Sequence, residues 1–348
     1  MTATLRIDAP AIWAGRGALI RDASIVLDGA VVRSVGPRAA ATGAEEHLVA
    51  DGVLLPAIVD RHVHIRLADP GAVLAGGVAA VRDLAWVPDE IFALAESSEL
   101  STFRGPLIRA AGPMLTAPRG YPTEDRWAPR GTGLEIRGPD HARAAVEELA
   151  TRGAAAIKVS LNADAGPTPS DAELATIVET AHARGVPVTA HVQGAGQAER
   201  AVGASVDEFA HAPWTERLSD DLLGQAARAT RIVSTLDIHS FGEITPELRI
   251  ACDNLVRFRA AGGTVVYGTD LGNGAIPAGI DLREALLLHE AVRMRPDEVL
   301  EAMTATRLEA GAPADLIVVG DDPTVRLEAL GDLRLVVRAG RVVAASRG

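Results

Sequence analysis

Cysteine is almost missing from this chain. One thiol, Cys252, cannot build a disulfide framework, so a stapled secreted mini-fold is excluded and a reducing cytoplasm is the expected setting. No run of about 18 uninterrupted apolar residues occurs, so no membrane-spanning helix is expected. The opening MTATLRIDAPAIW lacks a basic segment followed by an apolar one, and no secretory signal is read there. Aromatic residues make up only 3%, which leaves few platforms for stacking bases. Basic residues number 34 against 46 acidic ones, a net charge of −12, with no basic run. Nucleic acid and anionic membrane are therefore not expected as partners.

Lysine is nearly missing too. Lys158 is the only one; the other 33 of the 34 basic residues are arginine. An amine can lose its proton and act as a nucleophile, which a guanidinium effectively cannot. Codon bias accounts for the same count equally well.

What is present is an ordinary globular composition: 348 residues, 48% apolar and 23% charged. That length suits an α/β barrel of about 250 residues with an accessory module of about 100. Short apolar, β-branched runs at 53–60, 78–84, 106–112, 155–160, 186–191, 206–211, 231–237 and 263–270 read as strands. Helical periodicity fills 141–153, 170–185 and 248–263, and Ser170 with Glu173 has capping-box spacing. Strands alternating with helices predict a parallel (β/α)8 TIM-type barrel over 53–306. Residues 1–52 and 307–348 instead read as hairpins, one turning around Asp28–Gly29 and one near Ala339–Gly340. Both ends are expected to pair into one small composite β-sandwich. The Pro-, Gly- and Arg-rich stretch 115–133 reads as a long functional or mobile loop.

The barrel register carries the chemistry. His62 and His64 sit two apart at the end of the first strand, facing one side about 6.6 Å apart along it. By themselves they fit a metal pair or two half-buried core histidines. Lys158, His191, His211 and Asp270 fall at the ends of the fourth, fifth, sixth and eighth strands. All strand C-termini of such a barrel open on one face, where active sites are built. Arg82 and Asp83 end the second strand and His239 follows the seventh, so each is a mouth residue or a rim ion pair. Arg119, Arg126 and Arg130 could clamp a substrate carboxylate or lie solvated. His47, His141, His182 and His289 lie in termini or helices and read as non-catalytic, and Cys252 as a packing residue.

These stations resemble the amidohydrolase superfamily of metal-dependent barrel hydrolases. LLPAIVDRHVHIRL (54–67) resembles its first-strand signature, and IKVS (157–160), VTAHVQG (188–194), VDEFAHAPW (206–214) and VVYGTDLG (265–272) match later stations in order. The pairing of the two histidine motifs is similar to the branch of imidazolonepropionase-like and prolidase-type proteins. The resemblance implies two divalent metal ions, zinc suiting the ligands best. His62, His64 and Asp270 would hold one ion and His191 and His211 the other. Lys158, carboxylated by carbon dioxide to a carbamate, would bridge them. A metal-bridging hydroxide would attack an amide or peptide-like C–N carbonyl, with Asp270 as general base and then acid. Cyclic-amide opening or closure and lactone or ester hydrolysis use the same group. A deaminase-type single-metal site and an inactive binding paralogue are the other readings. The first would need no strand-four lysine, and the second predicts missing ligands. In the loop after strand three, where relatives often carry a histidine, Tyr121 stands, and it is taken with Arg82 and His239 as a substrate contact. The partner expected is a small molecule; a homo-oligomer is compatible with all of this.

Overall fold

The computed structural model describes residues 4–17, 19–40 and 43–345. The chain opens with strands β1 (Thr4–Ile12), β2 (Ile20–Asp28), β3 (Val31–Pro37), β4 (Glu46–Val49) and β5 (Val53–Pro56). Barrel strands follow: β6 (Ile58–Val63), β7 (Val78–Asp83) and β8 (Leu107–Ala110). An excursion, β9 (Met114–Thr116) and β10 (Gly133–Glu135), precedes β11 (Ile157–Asn162), β12 (Val188–Gln193), β13 (Glu208–Phe209), β14 (Arg231–Val233) and β15 (Thr264–Val266). The chain closes on β16 (Leu316–Val319), β17 (Leu333–Arg338) and β18 (Arg341–Ala345). Helices α1 (Pro70–Ala75), α2 (Pro88–Ser98), α3 (Pro139–Thr151), α4 (Asp171–Ala183), α5 (Gln197–Gly203), α6 (Asp220–Ala226), α7 (Pro246–Ala260), α8 (Leu282–Glu290) and α9 (Pro296–Met303) come between.

The architecture is a TIM-like barrel of mixed α/β content. β6, β7 and β8 pair in parallel, as do β11 through β15. Backbone bonds join the two groups: on one side Ala155 donates to the Ala110 carbonyl at 2.8 Å, and on the other Arg61 donates to that of Tyr267 at 3.3 Å, Asp270 to that of His62 at 2.8 Å and His64 to that of Leu271 at 2.7 Å. The side-chain period of two sorts each strand. Ile157, Val159 and Leu161 of β11, and Val188, Ala190 and Val192 of β12, join the apolar core with helix residues such as Val146, Ile177 and Leu255. Their alternates Lys158, Ser160, Asn162, Thr189, His191 and Gln193 take the opposite face, inside the barrel. The three expected helices form as α3, α4 and α7, and the Ser170–Glu173 capping box is made at both ends.

Four strand readings change. The run 206–211 keeps only the two-residue strand β13, so His211 lies two residues past it. The run 53–60 is two strands: β5 pairs with β1 and β16, and the chain enters the barrel only at β6, after Ala57. Residues 231–237 give a three-residue strand, after which Asp237–His239 winds into a 3-10 turn. Asp270 lies four residues past β15 rather than on it. The stretch 115–133 is bracketed by the parallel pair β9–β10.

The two ends meet as expected, but in one hydrogen-bonded sheet of order β18-β17-β16-β5-β1-β2-β3 rather than two separate ones, with β4 beside β1. It folds over its own core of Ile7, Ile25, Leu54, Leu316 and Val337. Both predicted hairpins form, and their tips touch. Ala339 and Gly340 take left-handed φ values of 48° and 73°, and a Cβ on Gly340 would overlap the Gly29 carbonyl oxygen. Gly340→Ala should therefore cost more than about 1 kcal/mol, seen as a lower urea midpoint at unchanged slope.

Candidate metal centre

Local backbone geometry sets the first ligands. Asp60, buried inside β6, accepts from the His62 amide at 3.0 Å, the Thr269 amide at 3.1 Å and the Thr269 hydroxyl. This clamps the segment after β15 onto β6. The next residue, Asp270, is held at φ 59°, a left-handed conformation uncommon outside glycine. Its amide bonds the His62 carbonyl, and His64 donates its own amide to the Leu271 carbonyl at 2.7 Å.

The six side chains predicted as ligands converge. Asp270 Oδ1 lies 3.2 Å from His62 Nε2 and 3.3 Å from His64 Nε2. The His62 and His211 rings are 4.5 Å apart, and those of His191 and His211 4.7 Å. His62, His211 and Asp270 bring ligand atoms within 4.8 Å of one another. Each imidazole is oriented through one nitrogen: His62 Nδ1 by the Ala210 carbonyl at 2.7 Å, His64 Nδ1 by that of Ala85 at 3.2 Å, and His211 Nδ1 by the Thr235 hydroxyl at 2.9 Å. His191 is engaged through Nε2, by Gln193 Oε1 at 3.0 Å and Asn162 Nδ2 at 3.4 Å. Such outer contacts are what a metal-binding histidine needs.

Among the buried side-chain atoms of the described residues without a hydrogen-bond partner are His62 Nε2, Asp270 Oδ1, Lys158 Nζ and, on the cavity wall, His239 Nε2. Unpaired buried polar atoms are costly and call for an explanation. Neutral imidazole and carboxylate atoms facing one point fit a divalent cation such as zinc. Burial pushes the histidines toward their neutral, ligating form: His62 and His211 fall well below the usual range and His191 falls to about 4. His64 is the exception, since the Asp270 carboxylate outweighs burial and raises it. Burial would raise Asp270, but His62, His64 and Asn273 together hold it well below the carboxylate range. Burial lowers the Lys158 amine from 10.5 to about 7, although Asp270 and Glu208 oppose the shift.

A cavity of about 260 Å³ opens over these ligands. Tyr121 and His239 line it, as expected. Arg82 does not; it pairs with Glu208 and donates to the Arg61 carbonyl at 3.1 Å. Glu208 also takes Arg231 and the Thr189 hydroxyl, so Arg82 belongs to a polar network inside the barrel, where a carboxylate already neutralises it. Asp83 is buried, receives the Ile65 amide at 2.8 Å and also stays out of the cavity. His239 and Ile238 are set by the turn after β14. There the Asp237 amide donates to Glu284 at 2.7 Å and Arg283 grips the Asp237 carboxylate. Sequence reasoning missed Trp214, whose ring lies 5.4 Å from that of His211 and 4.6 Å from that of His239. It also missed Trp127, 4.7 Å from the His64 ring, and the amides Asn162, Gln193 and Asn273. The tryptophan three residues beyond His211, in HAPW, was the available signal for the first.

The amidohydrolase family model matches residues 53–343. The chain belongs to the amidohydrolase family. It is 29% identical over 349 residues to adenine deaminase 2 of Rhizobium etli, covering 94% of this chain but only 54% of that one. Among solved structures it is similar to a Xaa-Pro dipeptidase with methionine bound (TM-score 0.84, 20% identity, 98% and 99% covered). It is also similar to the A. niger ochratoxinase (TM-score 0.83, 19% identity, 99% and 96% covered). As an amidohydrolase it is a metal-dependent enzyme of hydrolase type that acts on a small molecule. Among the described residues no helix is long and apolar enough to cross a membrane.

The buried amine makes stability depend on pH. Without metal or carbon dioxide, the folded protein releases the Lys158 proton near pH 7, whereas the unfolded chain keeps it to about 10.5. The unfolded state then binds more protons between those values, so stability rises with pH across that window. Lys158→Met should abolish that rise and stabilise the apo-protein most at or below about pH 7, read from urea midpoints.

Proposed function

We propose that the protein is a metal-dependent amidohydrolase cleaving an amide or peptide-like C–N bond with Asp270 as general base and acid. One observation carries this reading: the chain's single lysine is fully buried, its Nζ without a hydrogen-bond partner, and close enough to His62, His191, His211 and Asp270 to interact with each electrostatically. His62, His64 and Asp270 would hold one divalent ion, and His191 and His211 a second. Between them, the neutral Lys158 amine would add through its lone pair to the carbon of carbon dioxide, lose a proton and become a carbamate with two ligating oxygens. Zinc ions bound there would supply Lewis acidity and lower the pKa of water in the cavity.

The side chains divide the remaining work. Asp270, kept ionised by His62, His64 and Asn273, takes a proton at its carboxylate and returns it to the departing nitrogen. Its left-handed backbone and the bond from Asn273 Nδ2 at 3.1 Å fix the carboxylate's aim. Tyr121, its phenol held protonated by burial, would donate to the substrate, and His239 lines the same cavity beside Trp214. The substrate covers Trp214 and excludes water.

The wider reading follows the same residues. The strands β6, β7, β8 and β11 through β15 make a closed (β/α)8 barrel, and the two ends make a separate β-domain. Its first boundary moves from 52/53 to 56/57, because β5 pairs outside the barrel. A single cysteine supports a cytoplasmic setting. The likeness to an adenine deaminase favours one second reading, hydrolytic removal of an amine from a ring carbon. The buried lysine argues for the first.

Two experiments test it. Asp270→Asn should lose turnover by roughly 10²–10⁴ while metal analysis still finds about two divalent ions per chain; full activity would remove Asp270 from the chemistry. Lys158→Ala should be inactive and regain turnover with added short-chain carboxylic acids, whereas unaided activity would rule out the carbamate.

A further inference from the structure

The turn that carries Ile238 and His239 into the cavity wall is held by buried acids. Asp237, Asp281 and Glu284 are at most 1% exposed. Each has one carboxyl oxygen without a hydrogen-bond partner: Asp237 Oδ1, Asp281 Oδ2 and Glu284 Oε1. Their other oxygens are engaged. Asp237 Oδ2 takes Arg283 Nε at 2.9 Å. Asp281 Oδ1 caps α8 by accepting the Arg283 and Glu284 amides at 3.0 and 3.3 Å. Glu284 Oε2 takes the Asp237 amide at 2.7 Å.

Two of these acids meet. The Asp237 and Asp281 side chains lie within hydrogen-bond reach of each other. Ionised carboxylates only accept, so a bond between them needs a proton on one of the two. Three ionised carboxylates against the one guanidinium of Arg283 would also leave unpaired charge in the interior, which is costly. Arg283 grips Asp237, which leaves Asp281 as the acid that keeps its proton. Burial and the facing Asp237 hold its carboxyl above the ordinary carboxylate range. The groups around the pair bring no positive charge near neutral pH. Glu284 and the Cys252 thiol of α7 are held protonated by burial, as is the Tyr267 phenol, whose oxygen accepts the Asp281 amide at 2.9 Å. Asp60 of β6 adds only negative charge, and burial lowers His239 to about 4. The acids do not converge as metal ligands do. Among the described residues, the group of three whose ligand atoms lie within 4.8 Å of one another is His62, His211 and Asp270.

We propose that Asp281 keeps its proton in the folded protein and donates it to the Asp237 carboxylate, and that this bond is a pH-sensitive latch fastening the cavity-wall turn to α8. With the proton in place the latch is closed. Once Asp281 ionises, two buried carboxylates face each other across one arginine, and the turn loosens. The latch lies apart from the proposed metal ligands, so it holds or fails independently of the amidohydrolase reading.

Asp281→Asn tests it, because an amide supplies a permanent N–H donor to Asp237 and still offers an oxygen to cap α8. The folded wild-type protein holds a proton that the unfolded chain releases near pH 4, so the latch stabilises fully below that value and is lost as pH rises above it. The folding constant of the full-length variant divided by that of the wild type, from urea unfolding, should be flat below about pH 4. Above it the ratio should rise by up to about tenfold per pH unit and then level off. Both proteins keep the same metal ligands, so changes of metal content with pH cancel in the ratio. Amide hydrogen exchange over residues 237–243, corrected for intrinsic rates, should lose at least about tenfold protection in the wild type between pH 5 and pH 8 and keep it in Asp281→Asn. A ratio that does not change with pH would overturn the proposal. So would wild-type protection that is equal at the two pH values, a measurement that stands even if the variant does not fold. A rise of the wild-type urea midpoint at pH 8 on adding magnesium or calcium chloride, absent in Asp281→Asn, would put a cation where the proton is proposed and overturn it as well.

Discussion

A buried primary amine without a hydrogen bond is the constraint around which this molecule is organised. Lys158 is fully enclosed by the barrel, and an ammonium there would be left in a low-dielectric interior. The surroundings therefore favour its neutral form, and a neutral amine has a lone pair to offer. Arginine, used at every other basic position, could not be neutralised in this way. In the barrel interior Arg82 and Arg231 are paired on Glu208 with Thr189, whereas the Lys158 amine has no hydrogen-bond partner.

A second constraint aims the carboxylate. Asp60 ties the amides of His62 and Thr269 to one oxygen, joining the first and last barrel strands just before the chain turns through the left-handed Asp270. That turn brings the carboxylate to two imidazoles at 3.2 and 3.3 Å. Backbone strain at such a place is kept because the surrounding bonds over-determine it. The histidines are likewise held from behind, by carbonyls, a hydroxyl and an amide, so the centre is built before any ion or substrate arrives.

Part of the cavity wall is supplied by residues from loops. Trp214 sits on a segment fastened to α7 by Asn254, which donates to the Pro213 carbonyl at 2.9 Å and receives the Leu218 amide. His239 and Ile238 ride on a turn held to α8 by Glu284 and Arg283. Strands and the short segments just past them thus carry the proposed ligands, and clamped loops carry the cavity wall.

Spacing along strands is a local property, so the capping box at Ser170 and the two hairpin turns could be read from the sequence, as could the family through its ordered motifs, and the six proposed ligand positions were picked out in the same way. Which side of the barrel each residue faces, and what already holds it, could not. Arg82 looks like a mouth residue until Glu208, 126 positions away, is seen to take its charge. The strand at 53–60 reads as one run because both halves are apolar; only the pairing of its first half with the C-terminal β16 separates them. Trp214 becomes a wall residue beside His211, and Trp127 packs on His64, through ring contacts distant in sequence. Chemical identity and periodicity were written in the chain itself. Charge pairing, burial and aim depend on neighbours far away in sequence, and those exist only once the barrel has folded.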